Sequence, residues 1–413
     1  MDPLPHTAIY TNNDSRKDVF ARSLLAGRIP EELGFLKDLS GGLFSNGRIA
    51  DFLEEEARHE FSEINPEHLR QLRTFSSGER KKALLRHLLK SRPDFLILDD
   101  PFDNLDPEFQ QALRNELLDL SSSVLLIQLL SRPADRLEVA RCSAFLEGER
   151  LVGFPDYRPA GPSGTDYRLT GEIPAAPEEE MSIPEELASF RNVSVRYEDR
   201  PILNGIDWTI RRGDFWELRG PNGSGKTTLI TMITGDNPKA YGQDMALFGI
   251  RKGSGESVWE IKERIGYFTP AMTDRFSGQH TVSNMLISGL TDSVGLYVRP
   301  GDAQRQLAAG WLRLLGMQAL ADTYFRDLTA GQQRLVLCAR AMIKHPPLLI
   351  LDEPTAGLDQ EAASLVVSLI RKMAGESRTA IVFVSHRLEP GLEARQVFRL
   401  LPGTKGSTGE KIL

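Results

Sequence analysis

The sequence predicts an α/β protein in which a mostly parallel sheet occurs twice along the chain. Two observations support this fold class. Short apolar runs typical of buried parallel strands alternate with segments of helical periodicity. One phrase also recurs, because FLILDDPFDNLD at 95–106 returns as LLILDEPTAGLD at 348–359. An internal repeat of one α/β unit is therefore the first expectation.

Length and composition fit two globular domains without a membrane span. The chain has 413 residues, 40% of them hydrophobic, and its net charge of −7 argues against nucleic acid or an anionic membrane as the main partner. The two cysteines make no disulfide framework, no apolar run is long enough to cross a bilayer, and the N-terminus shows no secretory signal. We expect a cytoplasmic protein, peripheral at the inner membrane only through a partner.

A stretch rich in Pro, Gly and Glu divides the chain. The segment 157–186 interrupts the apolar periodicity and indicates a linker. The predicted organisation is a first domain at 1–155, a linker at 156–187 and a second domain at 188–413.

Two motifs have the same spacing in both domains. FSSGERK begins at Phe75 and its strand ends at Asp99. LTAGQQR begins at Leu328 and its strand ends at Asp352, at the same interval along the chain. A helical segment ending at proline precedes each strand, and a helix and a further strand follow it. This agreement favours a duplication.

The second domain contains a phosphate-binding loop. GPNGSGKTT at 220–228 matches G-x-x-x-x-G-K-[ST] and lies between a strand-like and a helical segment. Its glycines let backbone N–H groups converge on a phosphate at a helix N-terminus. Lys226 can reach the β- and γ-phosphates of ATP, and the Thr227 hydroxyl can bind Mg²⁺. The predicted ATP-binding residues here are Gly220, Pro221, Asn222, Gly223, Ser224, Gly225, Lys226, Thr227 and Thr228.

Two carboxylates and a histidine end other apolar strands of this domain. Asp352 can hold Mg²⁺, and Glu353 can deprotonate water beside the γ-phosphate. His386, in VFVSH, is a donor suited to that phosphate. Each alone is more often structural, but together with the phosphate loop they predict ATP hydrolysis. Glu353 and His386 are the predicted catalytic residues, and Thr227 and Asp352 the predicted Mg²⁺ ligands.

These motifs resemble the ATP-binding cassette (ABC) ATPases. The likeness covers 188–413 and, more weakly, 1–150, and the segment 235–268 resembles the two-cassette proteins of the molybdenum-transport and photorepair group. It implies a P-loop NTPase fold with antiparallel and helical subdomains beside the parallel core, in tandem with a truncated first copy. It also implies Mg²⁺-dependent ATP hydrolysis and a role in an ABC transporter.

The resemblance assigns further roles. Tyr197 takes the position of an aromatic residue that stacks on adenine, although the sequence alone favours a strand residue packed on its neighbours. Asp359 corresponds to an aspartate that bridges a cassette dimer, and it equally fits a helix N-cap. The signature loop, which caps the γ-phosphate on an opposite cassette, corresponds to Leu328, Thr329, Ala330, Gly331 and Gln332.

One position departs from the family pattern. A glutamine usually follows the strand that RIGYF resembles, but here Phe268 is followed by Thr269 and Pro270. Pro270 has no backbone N–H to donate. This departure puts coupling to a membrane permease in doubt.

The first domain is predicted to be degenerate. Counting back from the two signatures aligns TAIY at 7–10 with RIGYF, so a phosphate loop, an adenine aromatic and a counterpart of Lys226 are expected to be missing. Asp100 stands at the base position, and the histidine position falls at Ser131 or Arg132. The segment KDLSGGLFSNG at 37–47 is predicted to be a loop.

A signature survives in the first domain as Ser76, Ser77 and Gly78, followed by Glu79 in place of glutamine. It predicts one composite ATP site per chain, by internal pairing of the cassettes. The competing arrangement is a homodimer in which two complete domains cap each other.

The function that follows is an ATPase whose cofactors are ATP and Mg²⁺ and whose partner is a membrane permease or another protein. The alternatives are an ATP-binding regulatory module of low turnover and a soluble cassette acting on ribosomes or DNA. The acidic, proline-rich linker argues against the last.

Overall fold

The computed structural model describes residues 5–59, 64, 71–159, 169, 171–175, 183–276, 278–296, 299–387, 389–392 and 394–412. The chain divides into two compact units. The first comprises Met1–Gly164 with Gly357–Gln360, and the second comprises Thr165–Ala356 with Glu361–Leu413. The division falls inside the predicted linker, much of which lies outside the described residues.

The first unit contains one six-stranded sheet with order β2-β3-β4-β1-β5-β6. Its neighbours are parallel, except that β6 is antiparallel to β5. Its strands are β1 (Thr7–Tyr10), β2 (Gly41–Phe44), β3 (Phe95–Asp99), β4 (Leu125–Leu130), β5 (Cys142–Glu147) and β6 (Arg150–Val152). Its helices are α1 (Lys17–Leu25), α2 (Asn46–His59), α3 (Ser77–Lys90) and α4 (Pro107–Leu120).

The second unit contains a six-stranded sheet, β12-β13-β14-β9-β15-β16, and an antiparallel sheet, β11-β10-β7-β8. Its strands are β7 (Glu186–Tyr197), β8 (Arg200–Arg211), β9 (Phe215–Arg219), β10 (Met245–Leu247), β11 (Ile250–Arg251), β12 (Ile265–Phe268), β13 (Leu348–Asp352), β14 (Ala380–Val384), β15 (Gln396–Leu401) and β16 (Thr408–Ile412). Its helices are α5 (Lys226–Ile233), α6 (Val258–Glu263), α7 (Ala271–Arg275), α8 (Val282–Ile287), α9 (Asp302–Leu314), α10 (Ala330–Met342) and α11 (Gln360–Glu376).

Apolar burial explains why these strands lie inside. The central strands β13 and β14 carry continuous apolar runs because helices cover both faces of a parallel sheet. The antiparallel sheet joins this core through Trp208 of β8, which is fully buried and stacks on Phe398 of β15 with ring centroids 4.5 Å apart. Burying aromatic rings of this size is a large contribution to unit stability, since their truncation typically costs about 3–5 kcal/mol.

The identical strand order corrects one prediction from the sequence. The sequence aligns TAIY, which is β1, with RIGYF, which is β12. In the structure, however, β1 lies between β4 and β5, as β9 lies between β14 and β15. β1 is therefore the counterpart of the strand that leads into the phosphate loop. The strand that matches β12 is β2, which pairs with β3 as β12 pairs with β13.

Unequal spacing explains this error. The stretch of chain from Phe44, at the end of β2, to Phe75 is much shorter than the stretch from Phe268, at the end of β12, to Leu328. Counting back by one fixed distance therefore overshoots in the first unit. The predicted loop at 37–47 is also wrong, because it contains β2 and the start of α2.

None of the helices in the described part of the chain has the length and apolarity that crossing a bilayer requires.

Candidate nucleotide site

The phosphate loop of the second unit connects β9 to α5. Gly225 precedes the helix with φ of 98°, and a Cβ there would lie 2.6 Å from the Leu203 side chain, so glycine is required. The Lys226 side chain is largely buried, and its Nζ donates to the carbonyl oxygens of Gly220 at 2.6 Å and Pro221 at 3.0 Å. These acceptors are neutral, so an anionic phosphate is a stronger partner for the ammonium group.

The predicted base and histidine meet at the ends of neighbouring strands. Glu353 follows β13 with φ of 50°, a left-handed conformation held by its N–H donating to Val384 O at 2.9 Å. Its Oε1 lies 2.6 Å from Nε2 of His386, which follows β14. Strained backbone in a residue other than glycine is common at functional sites. The strand order thus brings together the two residues that the sequence predicts to be catalytic.

Burial and nearby charges shift the two carboxyl groups in opposite directions. Burial, together with the charge of Glu353, raises the pKa of Asp352 to about 6. Burial also opposes ionisation of Glu353, but the hydrogen bond and charge of His386, with Lys226 and Arg334, hold the pKa of that carboxyl below its usual value. Glu353 is therefore an ionised acceptor at neutral pH, and Asp352 lies where added positive charge would be stabilising.

The chemistry of the two predicted ligands fits Mg²⁺. Asp352 and Thr227 offer a carboxylate and a hydroxyl oxygen, the hard ligands this cation prefers, and Mg²⁺ commonly takes its other ligands from phosphates and water. In the described ranges, no group of three or more His, Cys, Asp and Glu could hold a metal by itself. A site completed by the nucleotide is what this composition supports.

Tyr197 ends β7 with 41% of its surface exposed. Its hydroxyl accepts a hydrogen bond from Nδ2 of Asn237 at 2.8 Å, and Asn237 also donates to Thr231 on α5. The ring is thus partly open to solvent and tied by its hydroxyl to the segment that follows the phosphate loop. Both the stacking and the packing interpretations of Tyr197 remain predictions.

Both signature loops end in a capping box at a helix N-terminus. Thr329 Oγ1 accepts from Gln332 N–H at 3.3 Å, and the Gln332 side chain accepts from Thr329 N–H at 3.1 Å. Ser76 and Glu79 make the same pair at 3.2 and 2.6 Å. The Glu79 carboxylate thus caps α3. The remaining predicted signature residues lie beside these caps, and they are Leu328, Ala330, Gly331, Ser77 and Gly78.

The first unit has a lysine at the position of Lys226, contrary to the prediction from the sequence. Ile9 pairs with Leu129 as Leu218 pairs with Val384, and Lys17 follows Ile9 at the same interval at which Lys226 follows Leu218. Both lysines begin a helix. The glycines of the motif are replaced, so the sequence motif itself is absent. The glycines Gly220, Gly223 and Gly225 correspond to Thr11, Asp14 and Arg16. The predicted Mg²⁺ ligand Thr227 corresponds to Asp18.

Lys17 makes ion pairs with the acidic residues of its own unit. Its Nζ lies 2.8 Å from Asp99 Oδ1 and also contacts Asp100, which accepts from Ser131 Oγ at 2.6 Å and Ser131 N–H at 2.8 Å. Because β3 and β4 pair as β13 and β14 do, Ser131 rather than Arg132 stands at the position of His386. In the first unit Asp100 thus replaces the base and Ser131 replaces the histidine. Lys17 neutralises the charge of Asp100.

Two cationic residues near these strand ends are not predicted from the sequence. Lys17 lacks the glycines on which a motif search depends, although Asn-x-Ser-x-Lys at 13–17 repeats the pattern at 222–226. Arg334, in the signature helix, contributes to the electrostatics of Glu353. The position of Arg334 after LTAGQ does not indicate that its side chain lies near Glu353.

Comparison with known proteins agrees with this geometry. The family described as ABC transporter matches residues 203–356. The ABC transporter ATP-binding protein ModF of Escherichia coli (strain K12) is 37% identical over 346 residues, which cover 78% of this chain and 68% of that protein. The chain belongs to the ABC ATPase family. An uncharacterized ABC transporter ATP-binding protein of Schizosaccharomyces pombe is 30% identical to this ABC ATPase over 85% of the chain and 72% of its own length.

Among solved structures, the chain is similar to cbiO1 from Clostridium perfringens, which is part of the cbiONQ ABC transporter complex. The match covers 56% of this chain and 88% of the cbiO1 chain, with 24% identity and a TM-score of 0.47. Membership of this family confirms the predicted family and the predicted P-loop ABC ATPase fold. Because ABC ATPases hydrolyse ATP, the chain is an ATP-binding protein and an ATPase of the transporter-type family.

Proposed function

We propose that the second unit binds ATP with Mg²⁺ and hydrolyses it with Glu353 as general base, and that the first unit binds no nucleotide of its own. The observation that carries this proposal is the 2.6 Å contact between Glu353 and His386 at the ends of adjacent parallel strands. Lys226, whose charge affects the pKa of both carboxyl groups, stands beside them.

Each side chain has a defined task in this proposal. The backbone N–H groups of the phosphate loop and Lys226 bind the β- and γ-phosphates, and the Tyr197 ring stacks on adenine. Glu353 accepts a proton from the attacking water, which it can do because it is ionised at neutral pH. His386 donates to Glu353 through Nε2, and the proposal assigns the same N–H as a donor to the γ-phosphate when ATP is bound. Thr227 and Asp352 would hold Mg²⁺, which when bound neutralises charge on the phosphate oxygens.

The proposal also covers the process that ATP hydrolysis drives. Work on a membrane permease is what the transporter-type family favours, and molybdenum transport rests only on the resemblance noted from the sequence. The second candidate is an ATP-dependent regulatory module of low turnover. Thr269 and Pro270 favour it, because they stand where cassettes that drive a permease usually carry glutamine.

ATP turnover of a Glu353→Gln variant tests the enzyme. We expect its rate to fall by about 10²–10⁴-fold while ATP affinity is retained, because only the base is removed. Asp100→Asn in the first unit is the matched control, since Asp100 has the same strand position and should leave turnover unchanged. A Glu353→Gln rate equal to that of the wild type would contradict the enzymatic proposal and favour the regulatory module.

A further inference from the structure

The signature helix of the second unit holds the turn that follows the base. Arg334 lies on α10, and its Nη2 donates to the carbonyl oxygen of Ala356 at 3.2 Å. The N–H of Ala356 in turn donates to the carbonyl oxygen of Glu353 at 3.2 Å. A short chain of hydrogen bonds therefore runs from the helix that begins at the signature loop to the backbone of the proposed base.

The surroundings of Arg334 are unusual for a guanidinium group. It lies 5.1 Å from the centre of the Phe268 ring, and its Nη1 is buried without a hydrogen-bond partner among the described residues. Burial lowers the pKa of Arg334, although the charge of Glu353 partly opposes this. Keeping a cation in such a place is costly unless its contacts are used. Besides the Phe268 ring, Arg334 contacts the Glu353 turn through its hydrogen bond to Ala356.

The first unit repeats the arrangement with a lysine. Lys81 precedes Asp99 at the same interval along the chain at which Arg334 precedes Asp352. Its ammonium group is buried and donates to the carbonyl oxygens of Pro101 and Asp103, each at 2.8 Å. Asp103 corresponds to Ala356, and its N–H donates to Asp100 O at 3.2 Å, as Ala356 does to Glu353.

This repeat shows that the contact between the buried cation and the turn does not depend on phosphate binding. The first unit has lost the glycines of the phosphate loop, yet a buried cation still holds the turn after its strand. In both units the residue that begins this turn has a left-handed backbone, with φ of 40° at Asp100 and 50° at Glu353. Such a conformation persists only where the surrounding contacts enforce it.

We propose that Arg334 is a positioning residue, which fixes the Glu353–Ala356 turn from the signature helix so that the base and the signature loop move together. The inference rests on the proposed role of Glu353 as general base. Arg334 does not contact the reacting atoms in this proposal; it sets where the carboxylate stands. A misplacement of about 1 Å can cost about 10²-fold in rate.

Kinetics of Arg334→Met and Arg334→Lys test the proposal. We expect Arg334→Met to lower kcat about 10²-fold with the KM for ATP within about twofold of the wild type. Arg334→Lys should recover most of kcat, because Lys81 makes the equivalent contacts in the first unit. Arg340→Met is the control for loss of helix stability, since Arg340 is buried on the same helix but donates to Ser288 and Ser293 instead.

A double-mutant cycle with Glu353→Gln gives the decisive readout. If Arg334 acts through Glu353, Arg334→Met should lower the residual rate of the Glu353→Gln variant by less than about twofold. An additive loss, a wild-type kcat in Arg334→Met, or an equal loss in Arg340→Met would each overturn the proposal. Failure of the general-base assignment is recognised separately, because Glu353→Gln alone would then turn over ATP at the wild-type rate.

Discussion

Lys17 Nζ lies 2.8 Å from Asp99 Oδ1, whereas its counterpart Lys226 donates to two backbone carbonyl oxygens. The lysine at the same position of a duplicated unit thus makes different direct contacts in the two units. In the second unit the ammonium group donates to two neutral carbonyl oxygens, with which a phosphate can compete, and it acts on Asp352 and Glu353 through its charge. In the first unit it is neutralised by carboxylates, so an anion would have to displace an ion pair to bind. The lysine remains in the first unit, but we infer that it serves the fold there.

The two lysines should therefore differ in their effect on ATP affinity. We expect Lys226→Met to weaken ATP binding by about 10–100-fold, because a charged hydrogen bond of about 1.5–3 kcal/mol is lost. Lys17→Met, the matched control, should leave the dissociation constant within about twofold. Equilibrium titration with a fluorescent ATP analogue measures both. Unchanged affinity in Lys226→Met, or a large loss in Lys17→Met, would contradict the assignment of nucleotide to the second unit.

Lys17→Met should instead lower the stability of the first unit. Removing Lys17 leaves Asp99 and Asp100 without their cation, with only 18% and 11% of their side chains exposed. Breaking a buried pair costs about 3–5 kcal/mol, so about 2–4 kcal/mol is expected for this partly exposed cluster. Amide hydrogen exchange in β3 and β4 measures the local opening free energy. Arg16→Met, which breaks a largely exposed pair with Glu149, is the control and should change exchange little.

The pH dependence of this deficit has a defined sign. In the wild type, burial raises the pKa of Asp100, but Lys17 and Ser131 outweigh burial and hold it below its usual value. That stabilisation is present above the unfolded-state pKa and is lost as pH falls through the folded-state value. Burial already raises the pKa of Asp99 against the opposing charge of Lys17, and removing Lys17 takes that opposition away from Asp99 and Asp100. The variant should therefore lose stability as pH rises from about 4. The deficit should therefore be largest near pH 7 and shrink toward pH 4; a deficit that grows on acidification would exclude this explanation.

The sequence predicted those features whose physical requirements are local. Strands such as β13 are continuous apolar runs, and the phosphate loop needs glycines at fixed positions, so both can be predicted from the sequence. The counterpart of Lys226 could not be predicted in this way, because Lys17 is identified by strand order, which is a property of the whole sheet. The contact between Arg334 and Ala356 joins residues 22 positions apart, and no periodicity indicates which way a guanidinium group points.

His386 and Ser131 offer a second matched pair. His386→Ala should lower kcat by about 10²-fold or more, because Glu353 loses its donor and the γ-phosphate loses a candidate donor. The KM for ATP should change less than kcat, since phosphate binding depends mainly on the loop and Lys226. Ser131→Ala removes the corresponding donor to Asp100 and should leave kcat unchanged. Steady-state ATPase assays of both variants decide this, and equal kcat values in the two would show that His386 has no catalytic role.

The sequence leaves open which of the two signature loops supports ATP turnover. Gly78 is a poor probe, because a Cβ there would lie 2.4 Å from the Phe109 ring and would disturb packing. Ser77 and Ala330 are better, since each is the first residue of its helix after a capping serine or threonine. If one composite site forms per chain, Ser77→Arg should lower ATP turnover at least about tenfold and Ala330→Arg should not. The reverse result would favour two complete cassettes acting on each other, with turnover that rises with protein concentration. Wild-type rates in both variants would mean that neither loop contributes to hydrolysis.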